Sequence, residues 1–472
     1  MSVRTGIAVG TRGASRAERA AGGKAARAEV PRSSHAVFER TAGSRTPLEL
    51  LASQDRARVP SLVAIRYDRM AASPFAYFRG AALPMAHDLA PTATTGFTVQ
   101  ACGDAHLANF GLFASPERRL VFDINDFDET TRGPWEWDVK RLAASVEIAG
   151  RGNGFSTAER TRAVLGTVAA YREAMRDFAG RTALRVWYAI AEVDAVRALA
   201  APRLSSSGKR RLDRTVDKAR SHDHLGSLAR FTTAGGGSLR IAPDPPRVVP
   251  VESEAEDGAP APFEQIEGVL AAYRETLEPE RRVLLDRYSL ADVARMVVGV
   301  GSVGTRCWML LLLGHDEADP LFLQAKEAGP SVLERFAGPS EFPNHGQRVI
   351  VGQRLMQAVS DIFLGWVAVT GFDGKDRDFY VRQLRDGKGS VPVENMVPTG
   401  LLAYGQLCGW TLARAHARSG DAVAIAAYLG SGPVFDGAVR EFASACADQN
   451  DKDHAALCRA TGSGAIRHGR SS

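Results

Sequence analysis

At 472 residues the chain is long enough to bury a large core and to form two or three structural units. Its 45% hydrophobic and 24% charged residues suit a soluble globular protein, and no apolar run is long enough to cross a bilayer. A net charge of +5 is too mild to indicate a nucleic-acid binder, and five scattered cysteines without CxxC spacing argue against a disulfide framework or structural zinc. The expected setting is a reducing cytoplasm, with neither a membrane nor a nucleic acid as partner.

Taken in order, residues 1–35 are rich in Ala, Gly and Arg without an apolar period and read as a disordered basic tail. A first unit over 36–205 is helical at both ends. TPLELLASQDRA, VAIRYDRM and SPFAYFRGAALPMAHDLA open it, the last entered through Ser73 as N-cap and Pro74 at N1. Arg66, Arg69 and Arg79 in this corner are candidates to face a phosphate. WEWDVKRLAASVEIAGR, TAERTRAVLGTVAAYREAMRDFAG and a third, Ala-rich helix close the unit, with Trp135 and Trp137 as core anchors.

Residues 206–263 read as an insert or linker: a basic segment, the turn TAGGGS and the connection PDPPRVVPVESEAEDGAPAP. In 264–395, FEQIEGVLAAYRETL and VLLDRYSLADVARMV read as helices. Two β-like runs then flank a glycine-rich turn, and PLFLQAKEA gives a third. GQRVIVGQRLMQAVSDIF reads as a helix, and GWVAVTGFDGKDRDFYVRQL as two strands around a Gly-Asp turn. Helices fill 396–460, and 461–472 form a loose tail.

The chemistry concentrates in residues 100–138, where Asp104, His106, Asn109, Asp123, Asp126, Asp128 and Asp138 alternate with the apolar runs FGLF and RLVFDI. A solvated acidic loop would not carry such runs, so acids and amides are expected at the ends of buried strands. In GDAHLAN, a carboxylate at Asp104 and an amide at Asn109 can orient an attacking hydroxyl and hold Mg2+ on a nucleotide. The second metal carboxylate comes from the RLVFDINDFDE strand, as Asp126 or Asp123.

GDAHLAN resembles the catalytic loop of the aminoglycoside and choline phosphotransferases, HGD-x-H-x-x-N, with Cys102 in place of the usual His. DFDETTRGPWEWD resembles the D-[FW]-x5-G-P-x3-D pattern of the same enzymes. That register favours Asp126 over Asp123 as metal ligand and makes Asp138 a brace for the catalytic loop. RMAASPFAYFRGAA, GSVGTRCW, LFLQAKEA and YVRQLRDGKGS are similar to an uncharacterised bacterial family known as domain of unknown function 2252, across nearly the whole chain.

GVGSVG, with Gly299, Gly301, Ser302 and Gly304, lies between two β-like runs, the arrangement in which a kinase covers nucleotide phosphates with backbone N–H groups. Lys326 on the third run then resembles the kinase lysine, with Glu334, Glu341, Gln353 and Gln357 as candidates to orient it. DFYVRQL would lead to the hinge that meets adenine. Because the clamp follows the catalytic loop, the resemblance implies an α+β, protein-kinase-like two-lobed fold that is circularly permuted, with a large helical portion. Such a cleft requires Lys326 within about 12 Å of Asp126. The implied function is an ATP- and Mg2+-dependent phosphotransferase with a small-molecule or protein acceptor. A nucleotidyl transferase or a non-catalytic nucleotide-binding pseudokinase would leave almost the same motifs.

Overall fold

The structure, a computed structural model, describes residues 13–40, 43–194, 231–235, 238–251, 263–371, 374–384 and 389–462, with 197, 387 and scattered positions between 210 and 230. It is a mixed helical and β protein whose sheets are all antiparallel. Most of the basic segment and the tails 1–12 and 463–472 lie outside the described residues.

Helix α1 (Arg16–Glu29) replaces the disordered tail expected here. The Ser15 side chain accepts the Glu18 N–H while Glu18 returns to the Ser15 N–H, a capping box that starts the helix despite its weak apolar pattern. At its far end Arg27 donates to the Tyr428 and Ala427 carbonyls and Arg32 to the Leu429 carbonyl. These carbonyls end a later helix and have no partner within it, so the basic residues dock the N-terminal segment.

Helices α2 (Pro47–Asp55), α3 (Pro60–Ala71), α4 (Pro74–Gly80) and α5 (Ala82–Leu89) follow the expected pattern, with Ser73 capping α4 through the Ala76 N–H. Strand β1 (Thr98–Ala101) pairs with β4 (Thr131–Pro134), and between them β2 (Phe110–Ala114) and β3 (Leu120–Ile124) form a hairpin. Helix α6 (Trp135–Gly152) leaves directly from β4, and α7 (Thr157–Gly180) returns beside it. The third helix of this group stops at Trp187. Beyond it the chain extends, with Glu192 bridging Val121 and the Ala191 carbonyl accepting the Phe122 N–H.

Strand β5 (Thr232–Gly235) pairs with β6 (Ser238–Ile241), the middle of the expected turn TAGGGS lying outside the described residues, and the Pro-rich connection contributes β7 (Val248–Pro250), edge strand of a six-stranded sheet. Proline suits an edge, where no ladder donor is needed. Helices α8 (Phe263–Arg274) and α9 (Pro279–Leu285) precede β8 (Ser289–Met296). SLADVARM is therefore a strand and not the helix expected: Val293 enters the core on one sheet face and Ala294 and Met296 the core on the other. Strands β9 (Cys307–Leu313) and β10 (Pro320–Ala328) continue the meander. CWMLLLL is apolar throughout because Leu310 and Leu312 pack on one face and Met309 and Leu311 on the other.

Helix α10 (His345–Met356) crosses to β11 (Gly365–Thr370) and β12 (Asp376–Gln383), which completes the order β11-β12-β10-β9-β8-β7. The short β13 (Gly389–Ser390) then pairs with β2, and α11 (Pro398–Ser419), α12 (Ala422–Leu429) and α13 (Val434–Gly462) pack against α6 and α7. The largest core lies among these helices, with Trp135 stacked on Tyr171. Val349, Ile350 and Met356 of α10 reach into it, tying the sheet to the helices.

Candidate functional site

A cavity of about 180 Å³ lies where the glycine-rich turn, the strand end at Glu327–Pro330 and the loop after β1 converge. Asp104, His106, Asn109, Asp126 and Asp128 line it from one side; Gly299, Gly301 and Ser302 line it from the other. Gly304 does not reach it: its φ is +92° and its carbonyl accepts the Val59 N–H at 2.8 Å. Asp123 is also elsewhere, buried and paired with Arg414 at 2.5 Å. Position explains the split, since Asp123 lies within β3, whose last four residues are all buried, and Asp126 lies past the strand end.

The loop carrying Asp104 is held from below. Asp138, in the first turn of α6, accepts the N–H groups of Cys102 at 2.6 Å and Gly103 at 2.9 Å. His416 lies 3.1 Å from the same carboxylate and Tyr171 2.9 Å from the other nitrogen of that ring. Gly103 has φ +80°, and a Cβ there would meet the Glu129 carbonyl at 2.2 Å, so the turn requires glycine. Buried polar groups bonded this completely fix the loop.

Asp104 uses Oδ1 to accept from the Arg141 guanidinium, which also lies 4.4 Å over the Phe78 ring. Its Oδ2 faces His106 Nε2 at 3.6 Å. Burial, reinforced by the Arg141 and Arg79 charges and opposed by Asp104, lowers His106 to about 4, so its ring is neutral at pH 7. Asn109 donates from Nδ2 to the Asp104 carbonyl at 2.9 Å and the Asp126 carbonyl at 3.2 Å, which leaves its amide oxygen as the atom a cation would use.

Lys326 Nζ lies 3.9 Å from Asp126 Oδ2 and in direct contact with Asp128. Burial pushes the Lys326 ammonium down, but the two carboxylates outweigh it and hold it above its ordinary value. Asp128 also accepts from Ser302 Oγ at 3.2 Å and the Tyr380 hydroxyl at 2.7 Å. None of the expected orienting residues fills this role. Glu334 accepts the Ser331 N–H and faces Arg348, and Gln353 donates to Gln357, which donates to the Ile124 carbonyl. Glu341 has no bond to Lys326 among the described residues. Helix α10 instead supplies Arg348, which donates to the Asp128, Thr130 and Gly329 carbonyls and shapes the DFDET loop.

Sequence reasoning missed Arg141, and it named Asp128 among the acids of this stretch without giving it a role. Arg141 was readable, being one helical turn beyond Asp138 on α6 and so on the same face. Of the three arginines proposed to face a phosphate, Arg66 pairs with Asp55 at 2.8 Å and Arg69 donates to the Gly299 carbonyl at 2.6 Å. Only Arg79 lines the cavity, joined by Arg58.

Asn109 and Asp126 offer hard oxygen donors. Among the described residues no cluster of three or more His, Cys, Asp or Glu forms a metal site, and Mg2+ borne on a nucleotide needs only one or two protein ligands. The family model for "Uncharacterized protein conserved in bacteria (DUF2252)" matches residues 58–460. No curated protein and no solved structure matches the chain.

Proposed function

The chain belongs to this uncharacterised bacterial family, and from its cleft we propose that it is an ATP- and Mg2+-dependent phosphotransferase. One observation carries the reading. Lys326 reaches Asp126 and Asp128 across about 200 residues of sequence, with the glycine-loop Ser302 on the same Asp128 carboxylate.

The sheet supports the permuted, two-lobed kinase-like reading. A glycine-rich loop joins β8 to β9, the lysine stands on the next strand, and a helix separates that strand from the last two. This is the kinase order of glycine loop, lysine strand and helix. The usual helix glutamate has no counterpart among the described residues, and Asp128 stands against the lysine instead.

In this reading Asp104 accepts the proton of the acceptor hydroxyl on Oδ2, the oxygen Arg141 leaves untouched. Arg141 keeps the carboxylate turned toward the cleft. Asn109 and Asp126 would hold Mg2+, which neutralises phosphate charge. Lys326 and the N–H groups of the glycine loop bind the nucleotide phosphates. The cavity of about 180 Å³ suits the phosphate end alone. Part of the segment after DFYVRQL, where the base would bind, lies outside the described residues.

Thermal shift with ATP tests the reading: stabilisation that requires Mg2+ is expected, and none with either would sink it. In turnover assays Asp104→Ala should lose about 10²- to 10⁴-fold in rate while keeping nucleotide affinity. Label transferred from the α-phosphate of ATP rather than the γ-phosphate would identify nucleotidyl transfer instead.

A further inference from the structure

A guanidinium stays charged at any ordinary pH, and burying it without an anion is costly. The fully buried guanidinia here obey that constraint: Arg66 meets Asp55, Arg141 Asp104, Arg348 Glu334 and Arg414 Asp123. Arg418 has no carboxylate within salt-bridge distance among the described residues but lies 3.9 Å over the Trp187 ring. Arg58 and Arg79 differ. Both line the cleft, and neither has a salt bridge among the described residues.

Arg58 donates from Nη1 to the Val303 carbonyl at 2.5 Å, and its Nε is buried without a partner. Arg79 likewise has a buried Nε without a partner. The glycine loop rests on this corner, since a Cβ on Gly301 would lie 3.3 Å from the Arg79 carbonyl. Asp55 and, less strongly, Glu129 attract Arg58 through space, but Asp55 is paired with Arg66, whose own charge repels Arg58, and burial lifts the Glu129 carboxyl to about 7, so it is only partly ionised at neutral pH. Lys326 is engaged on the Asp126 and Asp128 side of the cleft, whereas the Arg79 charge acts on His106, two residues from Asp104.

We propose that Arg79 and Arg58 form a phosphate subsite for the acceptor, so that the substrate is a phosphorylated hydroxyl compound. This rests on the phosphotransferase reading. It departs from the cationic acceptors that the resemblance to aminoglycoside and choline enzymes would lead one to expect. A phosphate monoester carries close to two negative charges and matches two guanidinium forks, which a single carboxylate does not.

The test is calorimetric titration of the full chain with inorganic phosphate, with and without a saturating non-hydrolysable ATP analogue and Mg2+. Phosphate should bind beside the bound analogue, and Arg79→Gln should weaken it by about tenfold or more. Arg79→Lys, which keeps the charge, should restore part of the affinity and guards against a folding defect. Lys326→Ala should weaken the analogue and spare the phosphate. Equal phosphate affinity in wild type and Arg79→Gln, or loss of phosphate binding whenever the analogue is present, would overturn the proposal. If the analogue never binds while phosphate still depends on Arg79, the phosphotransferase reading fails, the anion site stands and its acceptor role is overturned.

Discussion

The two sides of the cleft are built differently. The floor, residues 100–138, is locked by buried charges: Asp138 under the loop, Arg141 on Asp104, Asp123 on Arg414 and Arg348 around the DFDET carbonyls. The roof, Gly299–Gly304, is attached by the Val59 N–H, Arg58 and Arg69 to its carbonyls and by Ser302 to Asp128. A network of buried charge pairs holds one geometry, while a few single, part-buried or exposed bonds open at less cost. The difference teaches that, in the proposed function, the atoms assigned to the metal and the proton are preset, and the glycine loop is the part able to adjust to phosphates.

The largest effect expected from this contrast separates two aspartates three residues apart. Asp123→Ala leaves Arg414 buried without its carboxylate and should cost about 3–5 kcal/mol in denaturant unfolding. Asp126→Ala lies on the open side and leaves Lys326 its contact with Asp128, so it should cost clearly less than Asp123→Ala, while abolishing Mg2+-dependent stabilisation by ATP. Similar losses of stability in both variants would break the distinction between floor core and floor surface.

A smaller effect comes from acid behind the floor. His35 lies buried against Tyr428 and Phe435, its Nε2 2.7 Å from the Tyr428 hydroxyl. Burial, aided by the Lys140 charge on α6, lowers it to about 3. The unfolded chain takes up a proton near pH 6.5 and the fold resists it. The stability contributed is therefore whole above about 6.5 and lost as pH falls toward 3, on the order of 3 kcal/mol by pH 4. Unfolding free energy measured across that range should flatten in His35→Leu. An unchanged slope would mean His35 does not back the floor.

What was legible follows from distance along the chain. GDAHLAN and NDFDE could be read because their residues are neighbours, and Asp123 and Asp126 could be ordered by register. The partner of Lys326 could not, because Asp128 stands 198 residues away and no local pattern records the pairing. That Arg58 and Arg79 have no salt bridge among the described residues is equally invisible, since it depends on which carboxylates fold toward them. SLADVARM hid as a strand because a bulge between Leu290 and Asp292 breaks its alternation. The S-x-x-E capping box before α1 was readable, but the expectation of a tail rested on composition and the missing apolar period alone.

The finest test concerns the roof alone. Arg69 donates to the Gly299 carbonyl from an exposed position, so Arg69→Ala should cost less than about 1 kcal/mol of stability. Its effect should appear instead in binding. Gly299 has φ +68° and opens the loop, and freeing its carbonyl lets the N–H groups that follow point in many directions. Ordering them against phosphate then costs conformational entropy at the moment of binding, which raises KM for nucleotide several-fold. Because the floor still holds Asp104 and Asp126, kcat should change little. A fall in kcat with KM unmoved would mean that the loop acts on the reacting phosphoryl group rather than on binding, and that roof and floor are mechanically one body.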